Sequence, residues 1–467
     1  MSLLDADRLF PVDPQGRELA KNLYSRVRDL PIVSPHGHTD PQWFANNEPF
    51  KNPAELFVTP DHYVFRMLYS QGVKLDELGV ARSDGSTAVD PRQIWRVFAS
   101  NYHLFRGTPS RLWLDYSFHQ VFGIDKALSA ETADYTYDRI ADCLAQPNYR
   151  PRALFDRFGI ETIATTEGAL DSLEHHATIA ASEWNGRVIT TYRPDTVIDP
   201  DDPSFFANLR NFADITGEDT LSWQGYLEAH RKRRRDFIAH GATATDHGHP
   251  SARTENLPDA KARRLFEEVV GGSHTPEQAE MFRAQMLTEM AKMSLDDGLV
   301  MQIHPGSIRN HSSAIFEKFG ADKGFDIPRS TDYVTALRPL LGVAGHEPNF
   351  TLIVFTLDET TYGRELAPLA GVYPALRLGP AWWFFDSPDG MRRFRELTTE
   401  TAGFYNTVGF NDDTRAFCSI PARHDVARRV DCAYLASLVT TGRLVEQDAF
   451  EVAEDLTYRL AKKAYRL

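Results

Sequence analysis

The sequence predicts an α/β chain folded as a (β/α)8 TIM barrel, and three observations predict it. Eight short apolar or β-branched runs recur along the chain, each separated from the next by helix-like sequence. That alternation is the mark of parallel βα units, and eight of them close into a barrel. Polar residues follow each run at its C-terminal end: His36 and His38, Thr166 and Glu167, Arg193, Asp246 and His247, His304, Asp358 and Glu359, Trp382 and Trp383, Asp413 and Arg415. Barrels carry their active sites on that face. Finally, the first run ends in His36-Gly37-His38, and on a strand these two histidines share one face, where they can share one divalent metal.

Taken in order, residues 1–29 form an N-terminal helical segment, with Leu19, Leu23 and Val27 at four-residue spacing. Residues 30–40 hold the first barrel strand, an apolar run just long enough for one buried strand before the two histidines. Residues 41–150 read as a helical insertion after that strand, rich in aromatics (Ile94-Trp95-Arg96-Val97-Phe98, then Leu112-Trp113-Leu114-Asp115-Tyr116) and without a convincing strand. The remainder of the barrel occupies 151–467. Its seven strands fall at 161–166, 187–192, 242–245, 299–304, 351–355, 375–378 and 407–410, with a smaller insertion at about 195–240 between the third and fourth strands.

Bulk composition narrows the function. With 51 basic against 65 acidic residues the formal charge is −14, so polyanions are repelled and nucleic acid is not an expected partner. The basic run Arg231-Lys232-Arg233-Arg234-Arg235 reads as the solvated face of a helix. No apolar run approaches membrane-spanning length, and residues 1–8 carry no signal-peptide pattern. The three cysteines, Cys143, Cys418 and Cys432, include no Cys-x-x-Cys pair, which fits a reducing cytoplasm. A homo-oligomer is compatible with the sequence, which does not fix its order.

A metal site on His36 and His38 needs a third ligand. Asp413, directly after the eighth strand and so beside the first in a closed barrel, is the best candidate. Its neighbour Asp412 is the alternative. Arg415, two residues on, emerges beside Asp413 if the backbone stays extended, where a guanidinium suits a developing oxyanion or orients the aspartate. A rival pair, His247-Gly248-His249, ends the fourth strand, and Asp246, His247 and His304 could build a second metal centre. The one-metal reading is preferred because no bridging ligand is evident. Arg193, closing the third strand, can bind a carboxylate bidentately. Tyr63, in Asp61-His62-Tyr63-Val64-Phe65-Arg66, reads on its own as a packing aromatic.

Ordered stretches through nearly the whole chain resemble the uronate isomerases, members of the amidohydrolase superfamily of metal-dependent barrels. They include Ser34-Pro35-His36-Gly37-His38, Asp61-His62-Tyr63, Tyr102-His103-Leu104-Phe105-Arg106-Gly107, Tyr192-Arg193-Pro194-Asp195 and Asp246-His247-Gly248. Gln302-Ile303-His304-Pro305-Gly306, Ala381-Trp382-Trp383-Phe384, Asp413-Thr414-Arg415-Ala416-Phe417 and Arg423-His424-Asp425 continue the match. The resemblance implies interconversion of D-glucuronate with D-fructuronate and of D-galacturonate with D-tagaturonate. It implies metal ligands at His36, His38 and Asp413, and a site including His62, Tyr63, Arg193, His304, Trp382 and Arg415. Asp413, Tyr63, Arg415 and His62 are expected to be catalytic; Arg193, His304, Trp382, Arg415 and His62 to bind substrate. One departure stands out: where the family often carries Thr-Thr-Asp-Asp-Pro, this chain has Thr165-Thr166-Glu167-Gly168-Ala169, which leaves the role of Glu167 open. The strand-four lysine of bimetallic hydrolases is missing, which favours an isomerase over a hydrolase.

The resulting expectation is an aldose–ketose isomerase that moves a proton from C2 to C1 through a cis-enediol, with one divalent metal ion. Two imidazoles and a carboxylate suit zinc, and also manganese, iron or cobalt. Two rivals remain: a metal-dependent hydrolase or lactonase on the same barrel, and a catalytically idle sugar-binding protein. Assays for ketose formation against a panel of lactones and amides separate them.

Overall fold

A computed structural model describes residues 4–86 and 89–467. The barrel strands are β1 (Ile32–Ser34), β2 (Ile160–Ala164), β3 (Arg187–Ile189), β4 (Ala244–His247), β5 (Val300–Ile303), β6 (Leu352–Val354) and β7 (Leu376–Leu378). Each pairs in parallel with the next, from Val33 opposite Thr162 to Val354 opposite Leu378. Two strands run on past a break: β2 resumes at Glu167–Gly168 and β3 at Tyr192–Arg193, and these extensions pair with each other. At the eighth position Thr407 bridges Leu378, and the Val408 amide donates to the Leu378 carbonyl at 3.2 Å. The ring returns on itself where the His38 amide donates to the Thr414 carbonyl at 3.1 Å. Each of the eight runs read from the sequence therefore occupies its barrel position in order. The eighth is a single bridge rather than a ladder.

The strands are near-continuously buried because helices cover the outside and side chains fill the inside. Helix starts follow a repeated local rule. Asp13, Asp40, Asn52, Asp90, Thr108, Thr275 and Ser387 each cap a helix whose first residue is proline. The cap side chain accepts a backbone amide that has no partner inside the helix, and proline occupies a position where its missing N–H costs nothing. The Pro14–Val27 helix buries Leu19, Ala20, Leu23 and Val27 against Cys432, Leu435 and Ala436 of the Ile420–Thr440 helix.

Between Ser34 and Ile160 the described residues form helices and turns and no strand. They share an aromatic core in which Phe57, Trp95, Phe118 and Phe122 pack edge-on or tilted, and it continues into Ile32, Ile160 and Ile163 of the barrel. The insertion is thus seated on β1 and β2, and it delivers the His62–Ser70 helix to the barrel mouth.

One expectation is corrected here. The basic run is not a solvated face throughout: Arg233 and Arg234 are buried. On the Trp223–Ala239 helix they continue the inward row Trp223, Tyr226, Leu227 and His230. Arg233 donates to the Ala169 and Asp171 carbonyls at 2.9 and 2.7 Å, and Arg234 pairs with Asp297 at 2.5 Å. Burial is tolerated because both buried guanidiniums are met by acceptors. Among the described residues no helix is long and apolar enough to cross a membrane.

Candidate metal centre and active site

His36 and His38 leave β1 on one side, their rings 5.3 Å apart and nearly perpendicular. Asp413 reaches both: its Oδ1 lies 3.5 Å from His36 Nε2 and 3.2 Å from His38 Nε2. Asp412 turns away and pairs with His424 Nε2 at 3.0 Å. The backbone at Asp413 is not extended. Its φ of 36° lies in the left-handed region, which costs an L-residue about 1–3 kcal/mol and tends to occur where function requires it. Arg415 nevertheless opens onto the same cavity. It is exposed, and among the described residues none makes a hydrogen bond or ion pair with it.

His304 at the end of β5 completes the convergence. Its ring stacks on His36 at 4.7 Å and on Phe355 at 4.0 Å, and meets Trp382 edge-on at 4.7 Å. Its Nδ1 is held by Asp246 Oδ1 at 2.6 Å, while Nε2, buried, has no partner. Donor atoms of His36, His304 and Asp413 all lie within 4.8 Å of one another. A buried imidazole nitrogen without a partner costs free energy unless something meets it. Three imidazoles and a carboxylate are the donor chemistry of a first-row divalent metal. The residues therefore fit a metal ion, and Asp246 supplies the carboxylate-to-histidine support typical of such sites.

Electrostatics agrees with that reading. Burial outweighs the nearby Asp413 and Asp246 and pulls His36 down to about 4, keeping it neutral near pH 7. Burial alone would raise Asp413, but the His36 and His38 imidazoles beside it hold its carboxyl well below the usual carboxylate range. Burial, reinforced by Arg415, Arg66 and Arg423, pulls His62 down to about 3. Burial pushes the Tyr63 phenol well above its ordinary value.

His62 and Tyr63 open their helix under an Asp61 cap, rings stacked at 4.6 Å. Beneath Tyr63 lies Arg423, its guanidinium 5.5 Å from the Tyr63 ring and 3.6 Å over Trp113, buried and paired with Asp386. Arg193 sits at the mouth with its Nε on Asp195 at 2.8 Å and Nη1 beside Asp246 at 3.3 Å. Arg193, Asp246 and His304 thus form one connected row.

All the residues singled out in the sequence for the site line a single cavity of about 550 Å³: His36, His38, His62, Tyr63, Arg193, His304, Trp382, Asp413 and Arg415. That volume is in the range of small-molecule sites. Sequence reasoning did not single out Arg309, which stacks over Trp383 at 5.4 Å, or Asp322, both also in the wall. They arrive on the long 305–332 segment, whose only strand is a short ribbon of Ser307–Ile308 with Ile327–Pro328, and no motif marks it. Glu167 lies outside this wall. It lines a neighbouring cavity of about 380 Å³ with His38, Asp40 and His176, where burial pushes its carboxyl up to about 7.

A parallel (β/α)8 barrel whose C-terminal mouth gathers histidines and an aspartate fit for a metal defines this molecule's class. Comparison with known proteins narrows it. The family model for glucuronate isomerase matches residues 14–465, and the chain belongs to that family. It is 64% identical to the uronate isomerase of Mesorhizobium japonicum over the full length of both. The crystal structure of glucuronate isomerase from Caulobacter crescentus superposes with a TM-score of 0.99 at 61% identity, covering 100% of this chain and 98% of that one. The uronate isomerase of Thermotoga maritima gives 0.92 at 26% identity, covering 99% of each.

Proposed function

We propose that this chain interconverts D-glucuronate with D-fructuronate, and D-galacturonate with D-tagaturonate, by proton transfer through a cis-enediol. The observation that carries this is the single cavity in which the paired β1 histidines, Asp413, Tyr63 and an unpaired arginine meet, in a chain of the glucuronate isomerase family.

His36, His38 and Asp413 would hold one divalent ion, with His304 Nε2 facing the same point; zinc suits this set, and manganese, iron and cobalt are also suited. When bound, the ion supplies a Lewis acid that polarises the substrate carbonyl and offsets negative charge on oxygen. The chain's own residues supply the rest. Asp413 is ionised across the working range, so its carboxylate can accept a proton. The open-chain aldehyde loses its C2 proton; the C–H electron pair becomes the C1–C2 double bond as the C1=O π pair moves onto O1, which takes up a proton to give the enediol. A proton then returns at C1 while the O2 hydroxyl loses its own, leaving the ketone at C2; nothing is oxidised or reduced overall. Tyr63 stays protonated and can donate its hydroxyl hydrogen to a substrate oxygen, and His62 stays neutral and can orient a hydroxyl. Arg415 opposes charge that develops on the enediolate oxygen. Arg193 meets the substrate carboxylate and Trp382 packs against the sugar.

Running the reaction in deuterated water tests the route: solvent deuterium at C1 of the ketose supports proton transfer, and its absence after many turnovers contradicts it. Three buried free cysteines support a cytoplasmic setting.

A further inference from the structure

The second His-x-His does not join the catalytic cluster. His247 and His249 turn to Asp195, whose carboxylate sits where β3 ends, and donor atoms of the three lie within 4.8 Å of one another. We propose that Asp195, His247 and His249 form a second divalent-metal site that ties the end of β3 to the end of β4.

Two observations carry this. The first is unmet nitrogen. His249, only 6% exposed, has no hydrogen-bond partner at either ring nitrogen, and His247, 1% exposed, has none at Nδ1. Its Nε2 is held by the Thr245 hydroxyl at 3.1 Å, the fixed outer nitrogen that a metal-bound histidine usually shows. The second is local charge. Arg193, which pairs with Asp195, is shared with Asp246, so these three side chains together carry one net negative charge. Arg283, near His249, is already met by Asp199, Asp201 and Glu280 at 2.6, 2.7 and 2.9 Å.

The backbone is built for the approach. The Gly248 amide donates to Asp195 at 3.0 Å, and a side chain at Gly248 would start 2.2 Å from Arg193 Nη2. Two imidazoles and one carboxylate are a zinc-type donor set with room for a water. Closing them on an ion needs donor separations of about 3.3–3.5 Å, a small rotamer adjustment.

The test is metal counting on the full chain, stripped with chelator and reloaded with excess Zn²⁺ or Co²⁺. The wild type is expected to hold two equivalents, His249→Ala one, and the double variant His36→Ala/His38→Ala one. Thermal melting verifies that each variant is folded, and Zn²⁺ should still raise the melting temperature of the double variant. If His249→Ala does not fold, the double variant decides alone. A wild type that saturates at one equivalent, or a double variant that binds none, overturns the proposal. Because the readout is stoichiometry, it stands or falls separately from uronate turnover.

Discussion

Arg193→Met probes how an acidic protein holds an acidic sugar. With a formal charge of −14 long-range attraction cannot draw the substrate in, so a local cation must meet its carboxylate. Arg193 also bridges Asp195 and Asp246 at 2.8 and 3.3 Å, and Asp246 is only 1% exposed. Methionine keeps an unbranched apolar stem and removes both roles. Asp246 keeps the His304 ring and Asp195 the Gly248 amide, so the cost is below the ~3–5 kcal/mol of a buried charge left with no partner and should appear as a lower melting temperature. Losing a charge-assisted contact to the substrate adds about 1.5–3 kcal/mol, or roughly 10- to 150-fold in kcat/KM. The assay compares D-glucuronate with a neutral aldose that lacks the carboxylate, on protein held below its melting point. Uronate turnover should fall on the order of a hundredfold, and the neutral sugar much less, since it never used the contact. Equal losses on both, or no loss on either, refute the assignment. Arg415, unpaired in the same wall, would then be the carboxylate's partner.

Asp413→Asn should cost far more activity than Asp412→Asn, because Asp413 faces both histidines while Asp412 pairs with His424; equal losses would mean that the pairing to His424 matters as much as the histidine pair. His36→Ala with His38→Ala should remove the metal equivalent held at the barrel mouth, and elemental analysis showing unchanged content would contradict that assignment. Glu167 predicts a pH effect. Its carboxyl is raised from 4.5 to about 7, so the folded chain binds a proton that the unfolded chain releases. That stability is fully present below pH 4.5 and lost as pH rises through about 7, on the order of 3 kcal/mol. Glu167→Gln should therefore melt near the wild type at pH 5 and above it at pH 8; a difference that does not grow with pH would sink the idea.

Much of the fold was legible because its signals are local. Short apolar runs, the proline-led helix starts and the polar residue after each strand all act within a few positions, so the eight strands and the mouth could be placed in order. The site was legible where chain order and barrel order coincide: His36 and Asp413 are far apart in sequence, but the first and eighth positions of a closed ring are neighbours. What could not be read depends on tertiary placement. The Arg231–Arg235 run looked solvated because its acceptors, Asp297 and the Ala169 and Asp171 carbonyls, come from other segments. The company of the second histidine pair is hidden for a similar reason, since Asp195 reaches it from another segment. Asp246 and His247 are adjacent on β4, so they face opposite ways: one supports His304, the other turns to Asp195. Arg309 and Asp322 were invisible because a long segment without periodicity carries them over the cavity.

The most direct test incubates the purified, metal-loaded chain with D-glucuronate and D-galacturonate and follows the ketose products. Formation of D-fructuronate and D-tagaturonate, lost in Asp413→Asn, is the result expected. No ketose from either sugar, with turnover of a lactone or amide instead, would contradict the account and make the barrel a hydrolase.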